Sequence, residues 1–264
     1  MGGSFAPGVG VVFSADIAVP DHERELRFYS RSLTSGESPL WREDLMNREG
    51  MPIIGLGARS AAHDQLPIQW MPHIQVADVA ASAQRAIDRG GRELMHARDS
   101  AGTSQWAVLV DPNGAAFGII PVVPAEHMPP DSAPSSGDAP AAGRIAWLDL
   151  TVSDAIATRD YYQQVVGWSV QEVEVKDGDE RYADFNMLAE DGNPAAGICH
   201  ARGTNAGLPP VWMIYLPVGD LGESLSAVQE EGGSVVKATR GRSGEYLYAV
   251  VQDPVGAYFA LMPA

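Results

Sequence analysis

Two aspartates and a histidine are the first candidates for chemistry. Asp16 and Asp149 occupy matching places in two similar segments, DIAVPD at 16–21 and DLTVSD at 149–154. His73 lies within WMPHIQV at 70–76. An aspartate in an apolar strand can serve as a general base and a histidine as a proton shuttle, if their surroundings tune them. The plainer reading is a carboxylate tied to backbone or to a basic neighbour, and a hydrogen-bonded histidine. A buried carboxylate without a donor would be costly, so a donor should stand beside it. One histidine supplies too few good ligands for tight iron or zinc binding. No metal and no cofactor are therefore expected, and no GxGxxG dinucleotide fingerprint follows the first strand. Cys199, the one cysteine, reads as a small buried hydrophobe rather than a nucleophile, and permits no intrachain disulfide.

Strand alternation groups further residues with these three. Trp147, Asp149 and Thr151 share one face of a strand. Met213 and Tyr215 share a face of another, and Met71, His73 and Gln75 share a face of a third. Met71, Gln75, Trp147, Thr151, Met213 and Tyr215 are thus candidate substrate-binding residues. Apolar walls with a few placed polar groups suit a small-molecule pocket. Aromatic faces suit planar or cationic ligands. Trp70 and Trp212 begin matching strands, where a rim position, packing between domains and plain core packing are all open.

These residues are positioned by a repeat. The first matches, DIAVPD with DLTVSD, are offset by 133 positions, as from Asp16 to Asp149. Helical stretches follow, RELRFYS at 24–30 and ATRDYYQ at 157–163. Later matches, WMPHIQVADV with WMIYLPVGDL and DPNGAAFGII with DPVGAYFALM, are offset by 142, as from Asp111 to Asp253. The second copy thus carries nine extra residues between its first helix and its second module. Apolar, β-branched runs predict strands at 13–19, 39–45 and 52–58, and at WSVQEVEV, RYADFNML and AAGICHA in the second copy. Asp21 is a predicted helix cap and Gly167 a predicted helix stop. Each second module reads as a strand, a helix closed by Gly-Gly, and a hairpin turning at DPNG or DPVG. The fold class is α+β, with βαβββ-type modules duplicated in tandem.

Composition sets outer limits. The 264 residues suit two ordinary domains, and 45% hydrophobic content is enough to fill cores. We read a first domain at 8–123, a Pro/Ser/Gly/Ala-rich linker at 124–142, and a second domain at 143–264. A formal net charge of -16 disfavours nucleic acid and anionic membranes, and favours a neutral or cationic small-molecule ligand. No signal peptide or membrane span is legible, so cytoplasmic residence is expected. A monomer or a homodimer would fit.

The helix pairs Phe28-Tyr29 and Tyr161-Tyr162, the glycine pairs Gly90-Gly91 and Gly232-Gly233, and the two DPxG turns resemble those of the vicinal-oxygen-chelate proteins. That group includes glyoxalases, bleomycin-resistance proteins and extradiol dioxygenases. The resemblance covers nearly the whole chain outside the linker. It implies two domains of paired βαβββ units, each curled around a cup that holds a metal or ligand. It also implies where metal ligands would lie: seven residues before each helix-opening aspartate, and seven after the Asp of DPxG. Those positions hold Ser14, Met71, Trp147, Met213, Gly118 and Ala260, none a strong ligand. A relocated site using His73 and Asp16 in the first cup stays open. Three functions follow: metal-independent binding of an aromatic or polycyclic metabolite in resistance or biosynthesis, a tailoring enzyme (hydroxylase, isomerase or lyase type) using Asp16, His73 and Asp149, or an interaction protein with Trp70 or Trp212 exposed.

Overall fold

A computed structural model describes residues 7–33, 40–41, 44–46, 52–127 and 144–264. Sixteen strands and four α-helices occur among them. The first module is β1 (Val12–Val19), α1 (His22–Ser32), β2 (Leu40–Trp41), β3 (Asp44–Met46) and β4 (Pro52–Ala58). The second is β5 (Met71–Val76), α2 (Val79–Asp88), β6 (Arg92–Arg98), β7 (Ser104–Val110) and β8 (Ala116–Pro121). The third is β9 (Trp147–Val152), α3 (Ala155–Val166), β10 (Ser169–Asp177), β11 (Glu180–Leu188) and β12 (Pro194–His200). The fourth is β13 (Trp212–Val218), α4 (Leu221–Glu230), β14 (Ser234–Arg240), β15 (Tyr246–Gln252) and β16 (Tyr258–Pro263). The α+β class and the duplicated βαβββ modules are as the sequence predicts.

One device starts every helix. Asp21, Asp78, Asp154 and Asp220 each accept a hydrogen bond from the backbone N–H three residues on, at 3.3, 2.9, 2.9 and 2.9 Å. Such a cap satisfies an otherwise orphaned N–H and is worth about 1 kcal/mol. α3 ends at Gly167, whose φ of 94° is the left-handed conformation glycine adopts at no steric cost. Within modules the sheet order repeats: β2-β3-β4-β1, β5-β8-β7-β6, β10-β11-β12-β9 and β13-β16-β15-β14. In each, the first strand runs parallel to the last, as in Asp16 opposite Gly55 and Asp149 opposite Gly197.

Two strands, β6 and β14, escape the sequence reading. Their sequences, RELMHAR and SVVKATR, are polar and largely exposed or half-buried, so they lack an apolar signature. The strand expected at 39–45 is realised as the short β2 and β3. Residues 128–143, most of the expected linker, lie outside the described set.

The modules gather into two compact units, each drawing one module from each repeat. The outer unit combines the first and fourth modules, and the inner unit combines the second and third. In the outer unit α1 packs on α4. Phe28, Tyr29, Trp70 and Phe259 are fully buried there, with ring centroids 5.0 Å apart for Phe28–Tyr29 and 5.4 Å for Tyr29–Trp70. In the inner unit α2 packs on α3, with Phe117, Tyr162 and Trp212 fully buried. The second glycine of each Gly-Gly pair permits this packing. A Cβ on Gly233 would lie 2.7 Å from the Phe28 ring, and one on Gly91 2.4 Å from the Tyr161 hydroxyl.

Trp70 and Trp212 are core residues, and the expectation that they could sit at a rim is corrected. Both are 0% exposed. The Trp70 indole N–H donates to the Tyr29 hydroxyl at 3.0 Å, and that of Trp212 to Tyr162 at 2.9 Å. A buried indole needs such a partner. An interaction surface built on either tryptophan is ruled out by this burial.

Candidate functional site

Asp16, His73 and Asp149 are each more exposed than their core-facing strand neighbours. Leu148, Leu150 and Val152 on β9 are buried, while Asp149 between them is half-buried. On β1, Ala15, Ile17 and Val19 face the core and Asp16 is exposed. On β5, Ile74 and Val76 are buried and His73 is half-buried.

The inner unit holds Met71, His73, Gln75, Asp149 and Thr151. Met71 and Thr151 are buried at 4% and 6% exposure. Gln75 is fully buried, and its amide oxygen accepts the Val123 N–H at 2.9 Å. That bond gives Gln75 a scaffolding duty. Ladder registers place Asp149 opposite Gly197 and Thr151 opposite Cys199. Asp184 adds a second carboxylate beside the Cys199 thiol. Burial, then the negative charges of Asp149 and Asp184, push that thiol well above its ordinary range. Cys199 is thereby held as the neutral thiol, a poor nucleophile. Asp184 Oδ1 accepts from both the backbone N–H and the Nδ1 of His200, each at 2.9 Å. The Tyr182 ring meets His200 edge-on at 5.4 Å, and the Arg202 guanidinium lies 4.1 Å over Tyr182. Asp184 and His200 were missed by the sequence reading. Their signal was an acid inside the apolar run RYADFNML, two strands from Asp149.

The outer unit holds Asp16, Trp147, Met213 and Tyr215. Met213 is 3% exposed, and Trp147 and Tyr215 are half-buried. Tyr215 stands 5.9 Å from Tyr248, the rings inclined at 56°. Lys237 Nζ lies 5.8 Å from the Tyr248 centroid. Neither Tyr248 nor Lys237 was singled out in the sequence: Lys237 lies on β14, which lacks an apolar signature, and Tyr248 lies on β15, whose apolar run reads as a strand without marking a site.

Two of the expected metal positions, Gly118 and Ala260, lie on parallel ladders. Gly118 lies opposite His73 on the parallel β5–β8 ladder. A Cβ built on Gly118 would meet His73 Cδ2 at 2.5 Å, so the imidazole fills the space a longer side chain would need. In the fourth module Ala260 lies opposite Tyr215 at the equivalent register. A ring therefore faces a small residue wherever the resemblance places a carboxylate ligand after DPxG. Among the described residues, no three His, Cys, Asp or Glu side chains are grouped to hold a metal ion. The donor set does not fit a first-row metal at these positions.

The most perturbed carboxylates lie in the cores. Tyr29 donates to Asp253 at 2.9 Å, and Tyr162 makes a longer bond to Asp111 at 3.4 Å. Each aspartate also accepts two backbone N–H bonds in its DPxG turn, from Val255 and Ala257 or from Asn113 and Ala115. Glu25, fully buried beside Asp253, has its pKa pushed up to about 8 by burial first and by Asp253 second. In the inner unit the matching place is Thr158, which accepts a bond from Asn113 at 3.0 Å.

Comparison with known proteins agrees with this architecture. Residues 12–120 match a family described as "Glyoxalase-like domain". Residues 144–261 match the "Glyoxalase/Bleomycin resistance protein/Dioxygenase superfamily". The Mycobacterium tuberculosis protein called "Putative glyoxylase CFP32" is 24% identical over 234 residues, covering 89% of this chain and 84% of that one. The anthracycline biosynthesis protein DauV of a Streptomyces species is 27% identical over 201 residues, covering 75% of this chain and 66% of that one. Among solved structures, the Mn(II)-bound glyoxalase from Novosphingobium aromaticivorans superposes with a TM-score of 0.56 at 16% identity, covering 98% of this chain and 83% of that one. At that identity the likeness is one of fold. No helix among the described residues is long and apolar enough to cross a membrane.

Proposed function

Since the chain belongs to the vicinal-oxygen-chelate superfamily of glyoxalases, bleomycin-resistance proteins and extradiol dioxygenases, we propose that it binds a small aromatic or polycyclic metabolite without a metal. The observation that carries this reading is the ring facing a small residue in both repeats. His73 stands opposite Gly118 and Tyr215 opposite Ala260, where a metal-binding member would keep a carboxylate. Rings beside small residues give flat, apolar contact area with little rotamer entropy to lose. The anthracycline biosynthesis protein among its relatives is in keeping with a polycyclic ligand in a biosynthetic or resistance setting. The experiment is native mass spectrometry with and without ferrous iron, manganese and zinc, followed by fluorescence titration with polycyclic aromatic probes. A stoichiometric metal would overturn the metal-free reading. Saturable probe binding by the metal-free protein is the expected result.

A second reading, a tailoring enzyme, has its own observation in the inner unit. Asp184 holds His200 Nδ1 at 2.9 Å, which leaves the imidazole Nε2 as the basic nitrogen. Asp149 lies close enough to act electrostatically on the same Cys199 thiol as Asp184. Asp16, His73 and Asp149 remain the residues proposed for proton transfer. Replacing Asp149 or His73 should then abolish turnover while leaving ligand binding, and retained turnover in both variants would refute the enzyme reading.

A further inference from the structure

The second module has a second face, opposite the one that carries His73. Registers put His73, Gly118, Val108 and Met95 in one row across four strands. Two bulges decide what stands on the other side. In the β6–β7 ladder Glu93 pairs with Leu109, His96 with Ala107 and Arg98 with Ser104. The register shifts between Glu93 and Met95 and again between Ala97 and Arg98. Each shift leaves one residue without a cross-strand partner, Leu94 on β6 and Gln105 on β7, and turns the next side chain to the opposite face. Glu93, His96, Arg98 and Ser104 therefore share the face away from Met95 and His73. β6 is the edge strand of its sheet, so the group lies at an open margin.

The four side chains are joined. Glu93 Oε2 lies 2.8 Å from His96 Nδ1, and Ser104 Oγ lies 2.8 Å from His96 Nε2. A carboxylate only accepts, so Nδ1 carries the proton and Nε2 is the bare nitrogen that receives the Ser104 O–H. Arg98 Nη2 also approaches Nδ1, at the longer distance of 3.4 Å. Arg98 Nη1 donates to Ser104 Oγ at 3.1 Å. The His96 side chain is 7% exposed and that of Glu93 33%, and Ser104 is half-buried. Nucleophile, base and orienting acid thus stand in the order that activates a serine hydroxyl. The fold itself does not require them. The fourth module has the same two bulges, between Val235 and Lys237 and between Thr239 and Arg240. There the matching residues are Val235, Ala238 and Tyr246, with Arg240 in place of Arg98. Both modules share the scaffold, and of the two only the second carries acid, base and nucleophile.

We propose that Ser104 is an acyl-accepting nucleophile, activated by His96 and Glu93, and that this face hydrolyses activated carboxylic esters. The activity is separate from the metabolite binding proposed above and does not rest on it. Ser104 Oγ attacks the ester carbonyl carbon while its proton passes to His96 Nε2. The Glu93 carboxylate stabilises the imidazolium, and the Arg98 guanidinium supplies the cation for the tetrahedral oxyanion. The ester C–O bond breaks, the departing alkoxide takes the proton from Nε2, and an acyl-serine remains. Water then attacks the acyl carbon and gives its proton to Nε2. The C–Oγ bond breaks and Oγ recovers that proton. One carboxylic acid and one alcohol result. An open strand margin offers little binding energy to spend on a poor leaving group, which restricts the reaction to esters that already have a good one.

The test is p-nitrophenyl acetate turnover, together with labelling of the intact chain by a fluorophosphonate and location of the adduct by peptide mass spectrometry. The expected result is an adduct on Ser104, lost along with turnover in Ser104→Ala. His96→Ala installs the residue that the fourth module carries on the same ladder, and should slow labelling by about a hundredfold or more. Glu93→Gln, which removes the charge facing the imidazolium, should slow labelling and turnover alike. Ser100→Ala, on the exposed turn between β6 and β7, should change neither. A wild-type protein whose Ser104 stays unlabelled overturns the proposal, and this arm depends on no variant. Labelling of Ser104 that runs equally fast in His96→Ala overturns it as well, and leaves the four side chains as a structural hydrogen-bond network on the hairpin.

Discussion

Tyr29 of the first repeat donates its hydroxyl hydrogen to Asp253 of the second, at 2.9 Å and across 224 positions of chain. The Trp70 indole N–H donates in turn to that tyrosine oxygen at 3.0 Å. The same triad recurs in the inner unit as Trp212, Tyr162 and Asp111. The aspartate of each DPxG turn is thus secured by a tyrosine, Tyr29 or Tyr162, from the other repeat's first helix.

Tyr29→Phe removes a donor from a buried carboxylate and an acceptor from a buried indole. Leaving such groups unsatisfied costs about 1–3 kcal/mol. Urea unfolding should show that loss as a lower midpoint with an unchanged slope. A midpoint equal to wild type would mean the triad is idle.

Stability should fall as pH rises, through Glu25. Its pKa is pushed up to about 8 in the fold against an ordinary 4.5, by burial and then by Asp253. The folded protein therefore holds this proton more tightly than the unfolded chain does. Stability is complete below about 4.5, falls as pH climbs, and levels off once pH passes about 8. Burial also raises the Asp253 carboxyl, which adds to the loss in the same sense. Around Glu25 stand Asp21, Arg24 and Tyr29 of its own helix and Asp253 of the β15–β16 turn. Glu230 and Glu231 at the end of α4 are paired with Arg27 and Arg31. Glu25→Gln should melt higher than wild type at pH 9, by about 5 °C, and match it at pH 5. Parallel pH profiles for the two proteins would contradict this.

Gly233→Ala should destabilise the outer unit. Its Cβ would press at 2.7 Å on both the Phe28 ring and the Gln252 carbonyl oxygen. Overpacking of this kind costs about 1–3 kcal/mol. Gly102→Ala is not a clean control because its φ of 86° disfavours any side chain. Ser100→Ala, on an exposed turn, is the better reference for calorimetry of the two variants.

Gly118→Ala should displace the His73 imidazole, since its Cβ would lie 2.5 Å from Cδ2. The effect is readable as a changed His73 ring proton shift in NMR spectra. Adding His73→Ala should recover the stability lost to Gly118→Ala, by about 1–3 kcal/mol. Additive losses in the double variant would show that the two side chains do not compete for one space.

Much of this was legible in the chain. The cap at Asp21 could be read because an aspartate before an apolar-periodic stretch has one preferred job. The module count followed from the order of matches, DIAVPD with DLTVSD, WMPHIQVADV with WMIYLPVGDL and DPNG with DPVG. The alternation that sets Asp149 apart from Leu148 and Leu150 was likewise readable. What hid were β6 and β14, whose polar residues carry no core signature, and with them His96 and Lys237. Asp184 and His200 meet only through a ladder between β11 and β12, and local pattern cannot register two strands. Trp70 and Trp212 looked ambiguous because burial of an indole depends on a hydroxyl supplied from far along the chain.

The exchange of modules between repeats has a consequence for how the gene can be cut. A break anywhere between residues 124 and 142 leaves two polypeptides, each holding half of the outer unit and half of the inner one. Each piece keeps its own eight-stranded sheet but loses the helix partners of both units, α1 from α4 and α2 from α3. The chain is in effect a covalently tethered heterodimer, with the tether supplying the effective concentration that two free halves would have to find by diffusion.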